Sequence, residues 1–165
     1  MRRIAVAGLI GVLGAAGCGG GSHKPAPTTQ ATPSLGPPAR AADVAVIRRW
    51  VDALRHGDVA GADSMFSVPV VVQNGTPPLP LTTRAQIHGF DISLPCGARL
   101  VSTVSHHGYV LAAFVLTERQ GPGGGHCDGP GDTAATAFRI VKGRIREWRR
   151  ITGLPGQASP GAPQT

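Results

Sequence analysis

The sequence predicts an α+β domain in which helices pack on one face of a curved antiparallel sheet. Three observations carry this. An amphipathic stripe opens the folded region, four strand-like segments close it, and turn residues separate the two halves. The 24 glycines and 15 prolines crowd into residues 19–38, 121–131 and 153–165, so their excess marks linkers and a loop rather than the core.

The folded domain is expected over residues 41–152. Its first element is AADVAVIRRWVDALRHGD. Val46, Ile47, Trp50, Val51 and Leu54 recur at helical spacing and form one apolar stripe, with Arg48, Arg49, Asp52 and Arg55 on the other side. Asp52 is spaced to pair with Arg48 and Arg55. Gly57 reads as a helix end and Asp58 as the cap of a second helix running through Val59, Ala62, Met65 and Phe66.

A β-branched run, Val70–Val72, gives the first strand, and Asn74-Gly75 a turn. Pro77, Pro78 and Pro80 then argue against regular structure. Thr82 or Thr83 caps a short helix, TRAQIHGF, which Gly89 ends. Four antiparallel strands follow. Residues 98–105 and 109–119 turn at His106-His107-Gly108, and residues 133–141 and 144–151 turn at Lys142-Gly143. The 109–119 strand is apolar on both faces, as suits a central strand with helix on one side and a core or cavity on the other.

The N-terminus, MRRIAVAGLIGVLGAAGC, has Arg2 and Arg3 before an apolar run, Ile4 to Leu13, that is short for a membrane span. Ala15, Ala16 and Gly17 then precede Cys18. This resembles the lipobox of bacterial lipoproteins, with Ala15 where the usual box has Leu. The resemblance implies a signal peptide over residues 1–17 and a diacylglyceryl anchor on Cys18. Residues 18–40 form the tether, a stretch too poor in large apolar groups to pack, and residues 153–165 a disordered tail. The domain is expected at the extracytoplasmic face of the cell membrane. Once Cys18 is lipidated, Cys96 and Cys127 remain as an even pair where disulfides persist, and a bridge between them is expected. The formal charge of +7 does not point to nucleic acid, which is absent from that compartment.

Three stretches carry a further resemblance: RRWVDALRHGDVAGADSMF, VVVQNG and FRIVKGRIREWRR. Order and wording resemble the NTF2-like superfamily and its SnoaL-like branch over roughly residues 42–151. The fold this implies is a cone, a bent sheet wrapped round its N-terminal helices with an apolar pocket at the wide end. Members include isomerases, cyclases, hydrolases and non-catalytic binding or assembly domains, so the resemblance implies a pocket and leaves the chemistry open. It also implies a homodimer across the open sheet face.

Catalysis in such a pocket needs a carboxylate whose pKa burial has raised. The isomerase branch places an Asp near the end of the first strand, where this chain has Gln73 and Asn74. Glu118 reads as a solvated strand end beside Arg119, Glu147 as an ion-pair residue among Arg144, Arg146, Arg149 and Arg150, and Asp91 as a turn residue. No catalytic residue is assigned. His106-His107 and His126-Cys127-Asp128 fit no recognised zinc spacing, and Gly123–Gly125 lacks the Lys-Ser/Thr of a phosphate loop. No metal or cofactor is expected. Arg139, Lys142, Arg144, Arg146, Arg149 and Arg150 read as a solvated sheet face, or as a surface for anionic headgroups. Trp50, Phe66, Asn74, Phe114, Phe138 and Trp148 are the candidates to line the pocket, the aromatic ones also filling the core. The leading expectation is a non-catalytic domain that binds a small apolar ligand or an envelope protein. The alternative is a SnoaL-like enzyme using Glu147 or Asp91.

Overall fold

The structure is a computed structural model that describes residues 36–154. Helix α1, Ala41–Arg55, forms where the apolar stripe falls, and Val46, Ile47, Trp50, Val51 and Leu54 are all buried. Asp58 caps α2, Val59–Asp63, by accepting from the Gly61 N–H. That helix stops sooner than its sequence suggests. Phe66 is the first residue of strand β1, Phe66–Gln73, because it pairs with Ile145 and is fully buried. Tertiary packing overrides helical spacing there.

The proline-rich stretch is also more regular than expected. Leu79–Leu81 forms strand β2, antiparallel to β1, with Pro80 opposite Val71. It is the outermost strand of the sheet, where a missing N–H costs no ladder bond. Thr83 caps helix α3, Arg84–Ile92, in a full capping box with Gln86. This helix runs past Gly89, the expected stop, and ends three residues later. The extra turn carries Asp91 into the interior.

Strands β3, Gly97–His106; β4, Tyr109–Thr117; β5, Thr133–Val141; and β6, Arg144–Ile151, complete a six-stranded sheet in the order β2-β1-β6-β5-β4-β3. All neighbours are antiparallel except β1 and β6, which are parallel. The β3–β4 and β5–β6 hairpins turn on two residues each, with positive φ at His107, Gly108, Lys142 and Gly143. That backbone matches the right-handed twist of the flanking strands. Strand β4 ends at Thr117, so Glu118 and Arg119 lie beyond it. Glu118 is exposed as expected, while Arg119 turns inward and is 5% exposed.

Register shifts between Leu100 and Ser102 on β3, and between Arg139 and Ile140 on β5, bend the sheet around α1 and α3. Its concave face packs Phe66, Val70, Val72, Val110, Ala112, Phe114, Phe138, Ile145 and Trp148 against Ile47, Trp50 and Ile87 of the helices. The other face carries a smaller apolar cluster, Leu111, Ala135, Ala137 and Leu154. Leu154 is 3% exposed, so ordered packing extends past residue 152, the expected boundary of the domain. Cys96 and Cys127 form the expected disulfide, with Cα atoms 4.8 Å apart. Cys18, the signal-peptide reading, most of the tether and residues 155–165 lie outside the described residues. None of the described helices is long and apolar enough to cross a membrane.

Candidate functional site

A cavity of about 390 Å³ opens between α1, the α3–β3 connection and the concave face of the sheet. This is within the usual size range of small-molecule pockets. Its buried wall is Trp50, Val51 and Leu54 from α1, Phe114 from β4 and Trp148 from β6, with Leu94 and Ala98 at the side. Four exposed polar residues mark the mouth: Asn74 after β1, Arg150 near the end of β6, and Asp128 and Asp132 from the loop between β4 and β5. The disulfide fixes that loop, since Cys96 borders the cavity and Cys127 is adjacent to Asp128. A second depression, of about 810 Å³, adjoins the first across Phe114, Ala134 and Arg150 and continues toward Val101 and Gly153.

Of the six candidate lining residues, Trp50, Asn74, Phe114 and Trp148 border the cavity. Phe66 and Phe138 do not. Both are fully buried, edge-on to Trp50 at centroid distances of 6.1 and 5.6 Å, and belong to the core that holds Trp50 in place. The sequence reading passed over Asp132 and Arg150 as cavity residues and considered Asp128 only as a metal ligand. Their one signal is position: two follow a cysteine that must reach Cys96, and Arg150 shares the face of Trp148 two residues on.

The buried wall carries no carboxylate among the described residues. Glu147 alternates with Trp148 and faces the other side of the sheet. There it accepts from Tyr109 at 2.7 Å, Arg139 at 3.1 Å and Arg149 at 2.7 Å. Burial opposes its ionisation, but these donors outweigh burial and hold its carboxyl below the ordinary Glu range. The same bond raises the Tyr109 hydroxyl above its usual pKa. Glu147 is therefore an ion-pair residue, as the sequence suggested, and it does not reach the cavity.

Asp91 is the correction. It is a fully buried helix residue, not a turn residue. Its Oδ1 accepts from the Trp50 indole N–H at 3.2 Å, so it stands directly behind one cavity wall. Its carboxyl also bonds to Asp63, whose Oδ2 meets His88 Nδ1 at 2.7 Å. Asp91 Oδ2 and Asp63 Oδ1 are both buried without another donor. Two carboxyls can share such a contact only if one of them carries a proton. Burial, then the Asp63 contact, pushes Asp91 up to about 8 from 3.8. Arg119 braces the same corner by donating to the carbonyls of Asp91, Leu94 and Pro122. Nothing local in the sequence announces this arrangement, because its partners lie 41 and 28 residues from Asp91.

No family model matches the chain, and no curated protein matches it. Solved structures do. An NTF2-like protein of unknown function from Cytophaga hutchinsonii superposes with a TM-score of 0.52 at 8% identity, over 68% of this chain and 91% of that one. The fold is NTF2-like. A candidate polyketide cyclase from Sinorhizobium meliloti gives a TM-score of 0.50 at 15% identity, over 65% of this chain and 94% of its own. A candidate ketosteroid isomerase from Kribbella flavida gives 0.51 at 14% identity, over 73% and 84%. Such likeness establishes the NTF2-like cone and no activity. Of its features, the cavity lies where the cone opens, between the helices and the concave sheet face.

Proposed function

We propose that this protein is a membrane-anchored, extracytoplasmic NTF2-like domain that binds a small apolar molecule in its cone without transforming it. The observation that supports this reading most is the cavity wall: two indoles, a phenyl ring and aliphatic side chains, with charged groups confined to the mouth. Such a wall takes a ligand's apolar surface out of water, a gain of roughly 25 cal/mol per Å². Among the described residues its buried part carries no acid or base, the carboxylates Asp128 and Asp132 standing at the mouth. What supports the anchor is the lipobox resemblance of Cys18 and the segment before it.

Native mass spectrometry of the protein purified from its own host's membranes tests both parts. The expected species starts at Cys18, carries a covalent diacylglyceryl adduct, and releases a non-covalent ligand of a few hundred daltons on activation. Cys18→Ser should lose the adduct and the membrane association while the ligand stays. A mature chain starting elsewhere would remove the anchor. A bare domain would move the function to a surface that meets an envelope protein.

One observation favours a second reading, an enzyme of the cyclase or isomerase type. Asp91 has the raised pKa that a general acid or base needs. It sits behind Trp50, however, and does not line the cavity. Turnover of any substrate by the purified protein, abolished in Asp91→Asn, would establish that reading.

A further inference from the structure

Leu111, Ala135 and Ala137 lie on the sheet face that turns away from the helices, yet they are only 5%, 7% and 7% exposed. The outer face of an antiparallel sheet is ordinarily solvated, so these side chains need a cover. The cover is Leu154, itself 3% exposed. It stands outside the sheet, three residues past Ile151, the last residue of β6. Thr152 and Gly153 are exposed and carry the chain back over the face.

Residue size prepares the seat. Ala113 and Ala135 are opposite one another on β4 and β5, and Leu111 and Ala137 form the next pair on the same face. Alanine is depleted in strands, where branched and aromatic side chains fill the surface. Three alanines together leave a recess, with Leu111, Tyr109 and Ile151 standing around it. One leucine side chain fills it.

We propose that Leu154 is an intramolecular plug: it keeps the full chain monomeric, and the recess beneath it becomes a contact between two copies when the plug is out. The partner follows from the rim. Beside the recess Glu147 accepts from Tyr109, Arg139 and Arg149, so the patch has an apolar centre and edge charges of both signs. A two-fold contact sets one patch against itself, and a rim of a single sign would repel its copy. The NTF2-like resemblance implies two copies meeting on this open face. In this chain the tail occupies the centre of it. The proposal is independent of what the cavity binds, because Leu111, Ala137 and Leu154 do not border that cavity.

Sedimentation velocity at about 100 μM tests this. The sample is the full exported chain carrying Cys18→Ser, whose missing acyl chains cannot draw copies together. It should run as a monomer. Leu154→Ser and Leu154→Ala, each added to that chain, should keep its circular dichroism and run at about twice the monomer mass. Adding Ala137→Arg or Ala113→Arg should return the monomer, because a cation at the centre of a two-fold contact meets its own copy. A dimer before Leu154 is changed, a folded Leu154 variant that stays monomeric, or a dimer that both arginines leave intact would each overturn the proposal. Loss of the fold in both Leu154 variants would overturn it too, since the residue would then be core and not cover.

Discussion

Asp91→Asn is expected to remove most of a pH dependence that the wild-type domain shows between about pH 4 and pH 8. The sign follows from the direction of the shift. Asp91 holds its proton up to about 8 in the fold and releases it near 3.8 when unfolded. Between those values the folded chain binds the extra proton, so wild-type stability is fully present below 3.8 and falls as pH rises toward 8. The contribution has a slope of up to about 1.4 kcal/mol per pH unit. An Asn side chain reproduces the protonated form: its oxygen can accept from Trp50 and its amide can donate to Asp63. Urea unfolding of both proteins from pH 4.5 to 8.5 should therefore give curves that converge at the acid end and separate by several kcal/mol at the basic end, with the variant the more stable. Comparing the two at each pH cancels the groups that lie away from Asp91. Parallel curves would show that Asp91 is already ionised in the fold.

The second large effect is expected at the disulfide. Cys96 and Cys127 are 31 residues apart, and closing a loop of that length stabilises by about 3–4 kcal/mol on the chain-entropy model. For a domain of this size, the Cys96→Ala/Cys127→Ala double variant should melt roughly 10–20 °C lower. Reductant should lower the wild type to a similar temperature and leave the variant unchanged. The cavity should feel the loss as well, because Cys96 and the loop bearing Asp128 and Asp132 border its mouth. A melting temperature within a few degrees of wild type would mean that the loop is held by its other contacts, such as the Leu116 N–H on the Asp132 carbonyl.

The strands and the first helix were legible because their signals are local. The α1 stripe repeats at helical spacing, and Lys142-Gly143 turns its hairpin through two positive-φ residues. The elements that escaped are set by distant partners. Phe66 belongs to a strand because Ile145 is beside it, and Pro80 is tolerated because β2 is an edge. Helix α3 passes Gly89, where no neighbouring atom lies within 4 Å of the missing Cβ, and its last turn delivers Asp91 to Trp50. The site divides in the same way. An aromatic cavity wall was legible in part, since Trp50 lies on the apolar stripe of α1 and Phe114 and Trp148 lie on expected strands. The carboxyl behind the Trp50 indole was not, because Gly89 read as a helix end and left Asp91 outside the helix.

The central claim is that the cone is an occupied binding site for a small apolar molecule. Its most direct test is a high-resolution crystal structure of the protein purified from its host and not stripped of ligand. The account expects continuous density for a small apolar molecule between Trp50, Phe114 and Trp148. A cavity holding only ordered water, or closed by a rotated Trp148 ring, would contradict it.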